Sequence, residues 1–210
     1  MKLAVLVLAL ASMTPAGCKN RPAGSVARVA GRPAYADSGA CPFECCHYGR
    51  WRADTTVVLH ATADSSSRPV AVIAAGDSVD APTGFVRTLP TPFVVRRRVG
   101  QTAPGGSLYR PGETLWVYTY LGEGTYRVRR DTGAFFEDML EPGVVEGVHK
   151  TDSECRADSL CWAVFSPPTE TVWWVQIRAR SGVVGWTAEA DRFHGKDACS
   201  ADGQVRTRQG

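Results

Sequence analysis

The chain has 210 residues, with 24 Lys and Arg against 21 Asp and Glu and a formal net charge of +3. A balance this near neutral carries no strong field for nucleic acid, and the basic run Arg96-Arg97-Arg98 reads as a solvated strand edge. The length suits one large or two small domains.

The N-terminus reads Met1-Lys2, an apolar run from Leu3 to Ala11, then Ser12-Met-Thr-Pro-Ala-Gly-Cys18. A cationic start, a short apolar run and a small-residue exit describe a secretory signal. The run is about half the roughly 20 residues that a membrane-spanning helix needs. Ala16-Gly17-Cys18 resembles the end of the bacterial lipoprotein signal. That resemblance implies removal of residues 1–17, a diacylglycerol joined to the Cys18 thiol and acylation of the new amino terminus. Two or more acyl chains, at about 0.8 kcal/mol per buried methylene, anchor stably where one does not. Pro15 stands where the family usually has Leu; the alternative is cleavage after Ala16 or Gly17, giving a soluble secreted protein. Lys19, in place of the Asp that favours inner-membrane retention in that family, implies the outer membrane.

Setting Cys18 aside leaves Cys41, Cys45, Cys46, Cys155, Cys161 and Cys199. An even set in an exported chain reads as a disulfide framework, with 15 connectivities open. Cys155 and Cys161 are close in sequence and apart from the rest, which favours a local clasp. A bridge between the neighbours Cys45 and Cys46 would be strained. The preferred reading is therefore Cys41–Cys46 and Cys45–Cys199, tying the start of the folded part to its end.

Residues 18–40, rich in Pro, Gly, Ala and Ser, read as a flexible tether. From Cys41 the chain shows short β-branched and aromatic runs punctuated by Gly and Pro, which predicts an all-β fold. The expected strands are Thr56–Ala61, Val70–Ala74, Gly84–Thr88, Phe93–Val99, Leu115–Leu121, Thr125–Arg130, Val172–Arg178 and Val183–Thr187, with one short helix at Phe135–Leu140 and a disordered tail at 200–210. Alternation in Val172–Arg178 puts Trp173, Val175 and Ile177 on a core face and Trp174 on the polar face. In Leu115–Leu121 it puts Leu115, Val117 and Leu121 on one side and Trp116, Tyr118 and Tyr120 on the other. That aromatic row either covers a second layer or lines a groove; with Trp174 it supplies the candidate ligand-binding residues.

The stretch from Val57 to Val79 and the stretch from Val172 to Trp186, ending Gly182-Val-Val-Gly-Trp186, resemble the start and end of a bacterial SH3-type (SH3b) module. The resemblance implies a small SH3-like barrel that binds cell-wall peptide or an extended peptide. The two pieces lie further apart than one module allows. Either two modules are present, at 41–100 (with the Cys-rich lead-in) and 101–199, or one module carries a long insertion. Two are preferred, the second with a disulfide-clasped insertion at about 131–169.

Catalytic and cofactor patterns are each incomplete in this sequence. Cys41-x4-Cys46-His47 is wider than ordinary c-type haem attachment, and Cys45, Cys46 and His47 lack a second spaced pair for a metal. His194-Gly-Lys-Asp-Ala-Cys199 is similar to the opening of a cell-wall transpeptidase motif but lacks its Ser-x-Gly-Cys element. No Gly-x-Ser-x-Gly elbow or phosphate loop occurs. The expectation is a non-enzymatic envelope lipoprotein without cofactor or metal. Its partners are the membrane, through the lipid, and peptidoglycan or an extended peptide. The alternative is a structural subunit of an envelope assembly.

Overall fold

The computed structural model describes residues 26–29, 32–99, 109–131, 133–168 and 170–200. Cys18 and residues 201–210 lie outside them. The chain runs β1 (Val26–Val29), β2 (Arg32–Ser38), β3 (Gly49–Ala53), β4 (Val57–His60), β5 (Pro69–Ile73), β6 (Ser78–Leu89) and β7 (Thr91–Val94). It continues with β8 (Thr114–Gly122), β9 (Thr125–Arg130), β10 (Phe135–Met139), β11 (Val148–His149) and α1 (Asp152–Ala157). The last strands are β12 (Ala163–Val164), β13 (Glu170–Arg178), β14 (Val184–Thr187) and β15 (Phe193–His194).

Nine strands form one sheet in the order β1-β2-β6-β13-β14-β4-β5, with β3 joining β6 and β15 joining β3. The sheet curls into a half-barrel. Its spine is β6. One edge of β6 pairs with β3 through Ser78–Ala81 and with β2 through Phe85–Thr88, while the other takes β13 from Asp80 to Leu89. Alternation sends Val79 and Ala81 of β6 inward, shifts phase by one residue before Gly84 and resumes with Val86, facing Trp173, Val175 and Ile177 of β13. They pack with Trp51, Val57, Leu59 and Phe193 into the first core.

At Gly84 the strands come so close that an added Cβ would stand 2.4 Å from the Trp174 carbonyl and 2.8 Å from the Tyr48 hydroxyl. No other residue type fits there. The Tyr48 hydroxyl fills the gap, donating to the Ala40 carbonyl at 2.7 Å and accepting from Trp173 Nε1 at 2.9 Å.

Between β6 and β13 the chain makes a separate four-stranded sheet, β10-β9-β8-β7. The segment after β10 folds back over one face of it. Leu140, Val145, Val148, Trp162 and Phe165 pack there on Phe93, Leu115, Val117 and Val128 to form a second core. Helix α1 starts at a capping box, in which Glu154 N–H donates to the Thr151 side chain and Thr151 N–H donates to Glu154 Oε2. The disulfide Cys155–Cys161 closes the turn behind it.

The sheets meet where Tyr35 of β2 packs on Tyr118 (ring centroids 5.8 Å) and Phe135 (4.3 Å). Beside these rings Arg127 Nε lies 3.2 Å from Asp37 Oδ2, and the Asp37 side chain is 1% exposed.

Three sequence expectations are corrected here. The hydrogen-bonded sheets do not divide at residue 100: strands before residue 90 pair with strands after residue 169, and 91–165 form a lobe between them. The reading of residues 18–40 as tether fails for its described part, because Tyr35–Ser38 of β2 pairs with Phe85–Thr88 of β6 and buries Tyr35 and Asp37. Phe135–Leu140 is no helix; Phe135–Met139 pairs along β9, sinking Asp138 into a bond from the Tyr109 hydroxyl.

The other two disulfides are Cys41–Cys46 and Cys45–Cys199. The latter spans 154 residues, and in the chain-entropy picture such a loop stabilises by about 5 kcal/mol against about 2 for a six-residue loop.

A charge as buried as Asp37 is tolerated only while its partner is present. Arg127→Ala should therefore cost about 3–5 kcal/mol, measured by urea unfolding. The double replacement Asp37→Leu with Arg127→Met should recover most of that loss.

Candidate ligand-binding cleft

The aromatic residues singled out from the sequence do not form one row. Between Val117 and Tyr120 the β8–β9 register slips, so that Val117 faces Val128 and Tyr120 faces Tyr126. This bulge turns Tyr120 to the side of the second core, where its ring meets Tyr126 at 5.1 Å, and turns Leu121 out to 38% exposure. Tyr118 stays on the opposite face, 1% exposed, and its hydroxyl donates to the Pro33 carbonyl at 2.8 Å. Trp116 is half-buried, with Nε1 donating to Asp131 at 2.6 Å. Trp174 is 4% exposed rather than open on a polar face, and its indole N–H has no acceptor among the described residues. Tyr118 and Trp174 thus serve the interior, and Trp116 and Tyr120 are held by neighbouring carboxylates.

Three acids of the lobe are similarly engaged. Glu137 pairs with Arg127, Asp131 with Trp116, and Asp138 with Tyr109. Burial, then the bond to Asp138, holds the Tyr109 phenol far above its ordinary range. Cys45, Asp197 and Cys199 bring ligand atoms within 4.8 Å of one another, but the two sulfurs are bonded to each other and offer no thiolate.

What stands open is a cleft of about 600 Å³ at one end of the half-barrel, lined by Arg50, Asp77, Asp80, Arg178, Arg180 and Gly182 among others. Backbone pairing explains the grouping. Arg50 of β3 and Arg178 of β13 both stand opposite Asp80 of β6, so the three side chains emerge in a row across adjacent strands. The inward neighbours Trp51, Val79 and Ile177 belong to the core, which leaves Arg50, Asp80 and Arg178 facing solvent. A slip in the β6–β13 register between Gln176 and Arg178 puts Asp80, rather than a residue two places from Thr83, beside Arg178. Arg180 follows two residues on, before the turn at Gly182, whose φ of +86° suits glycine.

Asp77 is bound within its own turn, accepting from Ala74 N–H at 3.0 Å. Arg52, next along β3, donates to the Gly76 carbonyl. By contrast, the side chains of Arg50, Arg178, Arg180 and Asp80 enter no hydrogen bond or ion pair among the described residues. Three guanidiniums and one carboxylate therefore share a cleft without closing on one another. Guanidinium donors in a fixed fork match carboxylates and phosphates. Sequence reading missed all four residues. Arg178-Ala-Arg180 beside a Ser-Gly turn was a visible hint, but the partnership with Arg50 and Asp80 is set by register across three strands.

The Cys-rich segment makes a second contact with the lobe. Glu44, between the bridged Cys41 and Cys46, accepts from Tyr120 Oη and from Glu123 N–H, both at 2.7 Å. The Glu123 amide first, then the Tyr120 hydroxyl, holds the Glu44 carboxyl below its ordinary value. The same hydroxyl bond pushes the Tyr120 phenol up.

Comparison of the chain with known protein families, with characterised proteins and with solved structures finds no match.

A carboxyl with a depressed folded-state pKa adds stability that is present above its unfolded value and lost as pH falls through the folded one. The Glu44 latch should therefore hold above about pH 4.5 and weaken below it. Urea midpoints measured across this range should fall towards acid in the native chain. Glu44→Gln should flatten that part of the curve and lower the midpoint near neutrality.

Proposed function

We propose that this chain is a non-enzymatic envelope lipoprotein in which one discontinuous SH3b-like half-barrel binds a cell-wall or peptide ligand at the arginine cleft. The observation that carries the reading is the set of guanidiniums in that cleft that no acceptor among the described residues engages. Peptidoglycan stems and peptides carry carboxylates that would engage them.

The SH3-like part is supported by strand order. With the lobe set aside, β4–β5, β6–β13 and β13–β14 are antiparallel pairs, and β14 returns to pair with β4. Gly185 lies where this closure is tightest, since a Cβ there would stand 2.8 Å from Leu59 Cβ. The disulfides suggest an extracytoplasmic protein, and no helix among the described residues is long and apolar enough to cross a membrane. The lipid at Cys18 and an outer-membrane destination rest on the signal-like N-terminus.

A second reading, a subunit of an envelope assembly, draws support from the edge strand β5. Val72 there is 65% exposed on a strand with an unpaired side, a position suited to pairing with another protein.

Co-sedimentation with purified peptidoglycan tests the first reading. The native chain should pellet with the wall, and Arg50→Ala with Arg178→Ala should cut the bound fraction at least tenfold without changing the urea midpoint. Absence of the native chain from the pellet, with one protein cross-linked to it in cells, would transfer the argument to the assembly reading.

Metabolic labelling with radioactive palmitate tests the anchor. Label should enter the native chain and be lost in Cys18→Ser. An unlabelled native chain in the medium would establish the soluble secreted form.

A further inference from the structure

We infer that the Arg50–Asp80–Arg178 row reads an amino-acid centre bearing both a free ammonium and a free carboxylate. The inference rests on the arginine cleft being the ligand site, and it adds the chemical class of the group bound there.

The argument starts from the order of charges. Asp80 stands opposite Arg50 on one side and Arg178 on the other, so the row alternates plus, minus, plus across β3, β6 and β13. Strand spacing of about 4.8 Å sets the interval between neighbours. Arginine only donates and ionised aspartate only accepts. A ligand charge of a single sign would meet one attractive and one repulsive neighbour in such a row. A phosphate or other dianion at Arg50 and Arg178 would lie against Asp80, and Asp77 also lines the cleft.

A zwitterion avoids both penalties. Its carboxylate takes the fork of Arg178, and its ammonium donates to Asp80. The ammonium nitrogen and carboxylate carbon of an α-amino acid lie only about 2.5 Å apart, closer than adjacent strands, and the long arginine side chain reaches across the difference to meet the carboxylate beside Asp80. Arg180 adds a third donor on the same rim, giving a net positive cleft that favours the carboxylate end. At Gly182 an added Cβ would meet nothing within 4 Å, so the cleft has room beside the turn for what the amino-acid centre is attached to. The row is also unspent: none of its three side chains is committed to another group among the described residues. An alternating row built only for stability would be expected to close into ion pairs.

The test uses the full chain and four probes followed by nuclear magnetic resonance titration: free alanine, N-acetylalanine, alaninamide and inorganic phosphate. Free alanine should shift amides of β3, β6 and the β13–β14 turn. N-acetylalanine and alaninamide should each bind at least tenfold more weakly, and phosphate should not displace alanine. Asp80→Asn should erase the preference for alanine over N-acetylalanine, while Arg178→Gln should remove binding of both. Equal binding of alanine and N-acetylalanine, or stronger binding of phosphate, would overturn the zwitterion reading. Wall co-sedimentation of the same variants separates this result from the reading beneath it. Retention lost in Arg178→Gln with no alanine preference leaves the cleft as wall site and removes only the zwitterion. Retention unchanged in both variants removes the cleft as the wall site, and the inference with it.

Discussion

The structure depends on the ladder between Ser78–Leu89 and Glu170–Arg178. These strands are 80 residues apart in the chain, yet their pairing completes the first core, positions the cleft and fixes where the lobe attaches. Closing a loop of that length costs conformational entropy before any contact is gained. The return comes from a continuous apolar face: Val86 with Trp173, and Ile177 with Val79 and Trp51, all buried in one cluster. Gly84 lets the strands approach, and the Tyr48 hydroxyl ties the N-terminal segment over the gap. The Cys45–Cys199 bridge then adds a covalent link between the β2–β3 connection and the segment after β15.

Beyond the core, the two layers communicate through a few polar contacts. Asp37 with Arg127 is sealed from water, whereas Glu44 with Tyr120 and Glu123 stands at the surface. The first behaves as an interior pair whose members need each other. The second is a screened contact of modest worth by itself. It gains its role from the disulfides on either side, which hold Glu44 close to the β8–β9 turn and lower the entropy of making the bond. The buried hydroxyls of Thr88 and Thr119 and the Trp174 indole, which find no partner among the described residues, mark places where packing has prevailed over hydrogen bonding.

The sequence disclosed local character more readily than partnership. The all-β class and the disulfide-bonded character could be read from β-branched runs, turn residues and cysteine number. The inward set Trp173, Val175 and Ile177 followed from simple alternation, because the extra residue of the β6–β13 slip lies in β6, between Asp80 and Thr83, and leaves β13 regular. Alternation failed in β8, where one extra residue between Val117 and Tyr120 reversed the side on which Tyr120 emerges. Burial of Trp174 and Tyr118 was not legible, since it depends on what covers a face rather than on the strand itself. Arg32–Ser38 looked like tether because Pro33, Ala34 and Ala36 carry little apolar signal; its strand is imposed by the waiting edge of β6. The candidate cleft was hidden for the same reason, as three strands contribute its row.

Leu89 and Glu170 stand opposite each other as the last pair of the β6–β13 ladder. The lobe therefore leaves and re-enters the half-barrel through a single doorway one strand spacing wide. An antiparallel pair can be joined at such a point by a turn of two to five residues. Topologically the lobe is an ornament on a hairpin, and a hairpin tip is the place where a chain accepts foreign sequence at least expense to its scaffold. The doorway is thus a graft point, at which the lobe could be exchanged for another whose ends stand one strand spacing apart.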